Sequence, residues 1–198
     1  MKTAVLIGTF DPLHGGHIGQ ALRAHQAQPF DALIVCVDKH PLHKPQASSW
    51  QHRLHMANLA VQAVPLPFSC TVVAVEDSRA QKIRADFKIS GIDSLIDNLQ
   101  DPSRLHLAQQ WPMIVLSIPG IAPQLLTKAV AALPADIQQT IRYTYYDEAA
   151  VPMMNYNFEQ NGFVSERVHS THLRSGRQSS LIPDATRAYI EANRLYLS

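Results

Sequence analysis

Three observations predict an α/β fold, a doubly wound parallel sheet with a C-terminal helical segment. Short apolar runs of strand length alternate along the chain with stretches whose apolar residues recur at helical spacing. The first run, residues 4–7, passes through a glycine-bearing turn into a helix pattern and on to a second apolar run, which makes a βαβ unit with a right-handed crossover. The chain has 198 residues, enough for one α/β domain with a substantial core, so a single domain over 1–198 is expected.

Gly8 ends the first strand where ligands sit in open α/β sheets, beyond the carboxyl ends of the strands. Pro12 fixes a turn, and Gly15 and Gly16 let a helix that starts near His17 pack close to the sheet. Residues 18–25 carry that helix, Pro29 stops it, and residues 30–37 form the second strand. The loop 38–45 then faces the ligand crevice. Residues 47–61 begin with serines suited to N-capping and place Leu54, Ala57 and Val61 on one face, the pattern of a second crossover helix. Residues 68–75 and 85–89 are the third and fourth strands. Only about ten residues separate them, whereas a parallel crossover needs a dozen or more. Either the intervening helix is trimmed to a turn or two, or the two strands do not form a standard unit. Gly91-Ile92-Asp93-Ser94-Leu95 opens a helical stretch, residues 113–118 form a buried strand ended by Pro119-Gly120, and 122–133 is helical between Pro123 and Pro134. Residues 141–146 supply a strand within the poorly patterned region 136–163, and a last helix occupies 182–196 with Pro183 in its first turn.

Charge narrows the partners. The 17 basic and 16 acidic side chains nearly cancel, which argues against nucleic acid or an acidic membrane held by bulk charge. Cys36 and Cys70 lie in apolar runs without CxxC spacing and read as free thiols of a reducing compartment. No apolar run approaches the ~18 residues of a membrane span, and no signal-peptide pattern opens the chain, so a cytoplasmic protein is expected.

Phosphate chemistry is the expectation for the opening turn. A helix that begins at the crevice aims unpaired N–H groups and a positive dipole end at an anion. His14 and His17, three apart across the helix start, can both donate to phosphoryl oxygens, which is electrostatic stabilisation. Ser170, Thr171 and Arg174 form a second cluster, two hydroxyls and a forked permanent charge within five residues, suited to a triphosphate. Seen alone, that cluster would also suit an N-cap beside a solvated arginine. HxxH spacing at His14/His17, His40/His43, His52/His55 and His169/His172 raises a metal reading, but no Cys lies near. His52 and His55 read as a solvated helix face, and no protein-liganded metal is expected. A hydrolase triad lacks its G-x-S-x-G elbow.

Gly8-Thr9-Phe10-Asp11-Pro12-Leu13-His14-Gly15-Gly16-His17 resembles the GTFDPxHxGH signature of the nucleotidylyltransferase superfamily at every fixed position. Val168 to Arg174 resembles its ISSTxIR element, with His169 in place of the first serine. Within the superfamily the chain is most similar to bacterial nicotinate-nucleotide adenylyltransferases. Pro41-Leu42-His43-Lys44 resembles their PPHK loop, Ser48, Arg53 and Met56 their Ser-x4-Arg-x2-Met helix, Gly91 to Leu95 their GADSL element, and residues 181–196 their closing helix. Ile118 stands where that family has the arginine of an RPG turn, Leu42 replaces a proline, and the Tyr-Thr helix before the GADSL strand is missing.

The resemblance implies a Rossmann-like fold and transfer of AMP from ATP to the phosphate of a mononucleotide, nicotinate mononucleotide above all, with release of pyrophosphate. His14, His17, Lys44 and Arg174 are the implied catalytic residues. Gly8, Thr9, Phe10, Gly16, Asp93, Ser170 and Thr171 would bind ATP, with Asp93 at the adenosine ribose, and Lys44 and Arg53 would face the acceptor. Mg²⁺ would arrive with the triphosphate. Two alternatives stay open: an adenylyltransferase with another phosphate acceptor such as phosphopantetheine, and a nucleotide-binding regulatory protein that has lost transfer.

Overall fold

A computed structural model describes residues 1–41, 44–76, 82–118, 120–147 and 182–196. Among the described residues six strands form one sheet: β1 (Thr3–Gly8), β2 (Ala32–Asp38), β3 (Ser69–Val75), β4 (Phe87–Gly91), β5 (Met113–Leu116) and β6 (Tyr143–Tyr146). The described helices are α1 (Gly15–Ala27), α2 (Trp50–Gln62), α3 (Ile92–Gln100), α4 (Leu105–Gln109), α5 (Pro123–Ala131), α6 (Ala135–Gln138) and α7 (Asp184–Ala192). The order across the sheet is β3-β2-β1-β4-β5-β6, with every neighbouring pair parallel.

That order resolves the short link between the third and fourth strands. β3 lies at the edge and β4 pairs with β1 on the opposite side, Val5 opposite Lys88. The two are not neighbours and so do not form a standard unit; the link between them returns past β2 and β1 to the middle of the sheet. The chain winds outward from β1 through β2 to β3, returns to the middle, and winds outward again through β5 to β6. The reversal between β1 and β4 opens a crevice at their carboxyl ends.

Both faces of the sheet are covered, and side-chain alternation divides the core between them. Ala4 and Leu6 of β1, Leu33 and Val35 of β2, and Ile89 of β4 pack on one face against Ile18, Ala21 and Ala24 of α1 and Ala57 and Ala60 of α2. Val5, Cys36, Val75 and Trp111 pack on the other, as do Met113 and Val115 with Ile92, Leu95 and Leu126. β4 and β5 are buried along their whole lengths, as strands covered on both faces should be. Burying a side chain such as Ile89 or Leu95 contributes about 1.5–3 kcal/mol.

Several boundaries differ from the pattern read in the sequence. β4 runs two residues later than 85–89, because Asp86 is spent accepting the N–H of Thr3 at 2.7 Å ahead of the ladder. α1 begins at Gly15 rather than near His17, since His14 serves as its N-cap. The buried face of α2 is Arg53, Met56, Ala57 and Ala60, rotated from the Leu54–Ala57–Val61 stripe by the inward turn of Arg53. α7 is shorter than 182–196, starting after Pro183 and ending at Ala192. The solvated face expected for His52 and His55 is modified by α7: His52 is half-buried with its Nδ1 2.8 Å from the Tyr189 hydroxyl, while His55 stays exposed with its ring packed on that of Tyr189 at 4.3 Å. Cys36 and Cys70 are both free, and burial pushes their thiols up to about 12 and about 11. No described helix is long and apolar enough to cross a membrane.

Candidate active site

The turn after β1 is built by close packing. An added Cβ on Gly8 would stand 2.9 Å from the Phe10 ring, so only glycine lets Phe10 fold back over the strand end. Phe10 itself is held in the left-handed region at φ 48 and is 3% exposed, a conformation that tight packing must sustain. Thr9 is buried beside it.

His14 and His17 then close a reciprocal cap. The Gly16 N–H donates to Nδ1 of His14 at 3.1 Å, and the His14 N–H donates to Nδ1 of His17 at 3.3 Å. The rings stack at 3.8 Å, and Phe10 meets His17 edge-on at 5.0 Å. Because both Nδ1 atoms accept, the neutral form of each ring carries its proton on Nε2. Two imidazole N–H donors of fixed tautomer are thus held at a helix start beside the β1/β4 reversal.

Asp93 lies in the first turn of α3, directly after β4, and accepts the Ser94 N–H at 2.6 Å. A Cβ on Gly91 would fall 2.6 Å from Asp93 Oδ1 and 2.7 Å from Ile118 Cδ1. Ile118, in the place of the expected arginine, therefore packs across the end of β4. Gly8, Thr9, Phe10, His14, Gly16, His17 and Asp93 all lie at the carboxyl ends of β1 and β4. Lys44 sits in the loop after β2, where its N–H donates to the Pro41 carbonyl at 3.0 Å. Ser170, Thr171 and Arg174 fall outside the described residues.

Arg53 departs from its expected place at the acceptor. It is 1% exposed and turns inward, donating to the carbonyls of Ser48 at 2.8 Å, Thr9 at 2.7 Å, Asp38 at 2.6 Å and Lys39 at 3.2 Å. Burial pulls its guanidinium pKa down, and Asp11, Asp38 and Tyr196 push it back up. Sequence reasoning also gave no role to Asp11. Its buried carboxylate accepts the Ser48 N–H at 3.1 Å and the Tyr196 hydroxyl at 2.6 Å, tying the turn to the start of α2 and to the C-terminal segment. The signal was present in the fixed aspartate of the opening motif, which no phosphate-binding role explains.

Residues 5–132 match the family described as Cytidylyltransferase-like. The chain belongs to the cytidylyltransferase-like family. Among curated relatives of this family member, a probable nicotinate-nucleotide adenylyltransferase of Nostoc sp. is 38% identical over 57% of the chain. Another so named, from Thermus thermophilus, is 26% identical over 99% of the chain and 100% of its own length. The chain spans about half, 47%, of the length of the Nostoc relative. A similar fold appears in Plasmodium falciparum nicotinic acid mononucleotide adenylyltransferase complexed with NaAD, at a TM-score of 0.65 and 14% identity, covering 99% of this chain and 98% of that one.

Proposed function

We propose that the protein is an adenylyltransferase that moves AMP from ATP to the phosphate of nicotinate mononucleotide and releases pyrophosphate, a step of NAD biosynthesis. The observation that carries this reading is the reciprocal cap of His14 and His17, which commits both Nδ1 atoms to the backbone and leaves Nε2 as the proton-bearing atom. Family membership and the names of its relatives support it.

In the reaction an oxygen of the acceptor phosphate attacks the α-phosphorus of ATP in line. The new P–O bond forms as the bond from the α-phosphorus to the oxygen bridging the α- and β-phosphates breaks, and the electron pair leaves on pyrophosphate. The nucleophile is already an anion, so no general base is needed. Catalysis rests on positioning and on donors aimed at developing charge. His14 and His17 donate to phosphoryl oxygens, and Lys44 and Arg174 share the negative charge. Gly8, Thr9, Phe10 and Gly16 line the nucleotide, Asp93 meets the ribose, and Ser170 and Thr171 contact the triphosphate. Mg²⁺ neutralises phosphate charge when bound. Asp11 is already engaged by Ser48 and Tyr196, and Asp93 by Ser94. When it arrives with ATP, the ion would be held mainly by phosphate oxygens and water, as hard cations in such sites commonly are. The unpaired thiols of Cys36 and Cys70 suit a cytoplasmic setting.

Pyrophosphate release from ATP, followed with a panel of phosphate acceptors, tests this reading. Release that depends on nicotinate mononucleotide is expected. Release with phosphopantetheine alone would reassign the acceptor, and none with any acceptor would leave a nucleotide-binding protein without transfer.

A further inference from the structure

We propose that Arg53 is a positioning residue that sets the register between the nucleotide turn and the acceptor loop; the inference rests on the adenylyl transfer proposed above. A guanidinium has five N–H donors in a rigid planar fork. Four of those five are spent on backbone carbonyls from three separate segments: Thr9 after β1, Asp38 and Lys39 at the end of β2, and Ser48 ahead of α2.

What those carbonyls belong to gives the arrangement its consequence. Thr9 directly precedes Phe10, whose left-handed backbone starts the turn that ends in His14 and His17. Asp38 and Lys39 begin the loop that leads to Lys44, and Ser48 ends it. Arg53 thus joins the strand end that carries the nucleotide to the loop that carries the acceptor. Asp11 repeats the link with opposite polarity by accepting the Ser48 N–H. Lys39 is held as well, its ammonium 4.7 Å from the centre of the Trp50 ring and 3.9 Å from Glu76. A shift of about 1 Å between two bound reactants costs on the order of 10²-fold in rate, so a fork that holds both backbones acts on turnover without touching either ligand. Lysine keeps the charge but, as a point donor, cannot span the same carbonyls.

The test is steady-state kinetics on Arg53→Lys and Arg53→Met, assayed well below their melting temperatures with near-ultraviolet circular dichroism as the check on folding. A kcat reduced at least about thirtyfold, with the KM for ATP and for the acceptor each within about fivefold of wild type, is expected for both. A folded variant with kcat within threefold of wild type would overturn the proposal. So would a loss confined to the acceptor KM, which marks direct contact with that ligand. Should neither variant fold, the wild-type protein crystallised with a non-hydrolysable ATP analogue decides the matter, with and without nicotinate mononucleotide. The four carbonyl bonds are expected to persist, and a guanidinium swung onto a ligand phosphate would refute the role. The analogue alone suffices for this arm, so it stands even if no mononucleotide proves to be an acceptor.

Discussion

Replacing His17 by alanine separates catalysis from stability with two numbers worked from the turn. The ring gives the fold one cap, accepting the His14 N–H at 3.3 Å, and two ring contacts, edge-on with Phe10 at 5.0 Å and against His14 at 3.8 Å. Losing a cap costs about 1 kcal/mol and losing each ring contact about 0.5–1.5 kcal/mol. The sum, about 3 kcal/mol, lowers the melting temperature of a domain this size by roughly 6–12 °C. Against a typical stability of about 5–15 kcal/mol the variant stays folded at 25 °C. Turnover should fall much further, on the order of 10²–10³, because a preorganised donor to developing charge is lost. Calorimetry gives the first number and initial-rate pyrophosphate release at saturating substrates gives the second. Turnover within fivefold of wild type, or a melting temperature lowered by more than about 15 °C, would refute the reasoning.

Gly91→Ala should raise the KM for ATP at least about fivefold, since the new methyl must displace Asp93 or Ile118 from contacts of 2.6 and 2.7 Å. An unchanged KM would remove Asp93 from the ribose site. Tyr196→Phe deletes the 2.6 Å donor to buried Asp11 and should cost about 1–3 kcal/mol in urea unfolding; a cost below about 0.5 kcal/mol would mean the contact is not made in solution. With the Cys36 thiol at about 12 against an ordinary 9.0, the folded state keeps a proton that the unfolded state releases. Its stabilising effect is therefore complete below pH 9 and falls away as pH rises toward 12. At pH 8 this leaves roughly a thousandfold less thiolate than in urea, so labelling by a chromogenic disulfide should be slower by at least that factor; comparable rates would place Cys36 at the surface.

The sheet was legible because β1, β2 and β5 are near-continuous apolar runs and its switch point is announced by Gly8 and the turn that follows. The misplacements share a cause. Local pattern registers a side chain's polarity but not its partner, and Arg53, Asp11 and His52 are polar residues satisfied by segments far along the chain. Arg53, expected at the acceptor, is met instead by carbonyls from two strand ends. His14 and His17 differ in that their partners in the cap lie within three residues. The separation of β3 from β4 was hinted at by the short link, but only the pairing of β4 with β1 identifies it as the return to the centre of the sheet.

The most direct test of adenylyl transfer to a mononucleotide is the product itself. ATP labelled at the α-phosphate, incubated with the protein, Mg²⁺ and either nicotinate or nicotinamide mononucleotide, is separated by chromatography and identified by mass. Label should pass into the nicotinate dinucleotide with equimolar unlabelled pyrophosphate, and kcat/KM should favour nicotinate over nicotinamide by at least about tenfold, or ~1.4 kcal/mol. Label remaining in ATP, or appearing only as free AMP, with both mononucleotides would contradict the account.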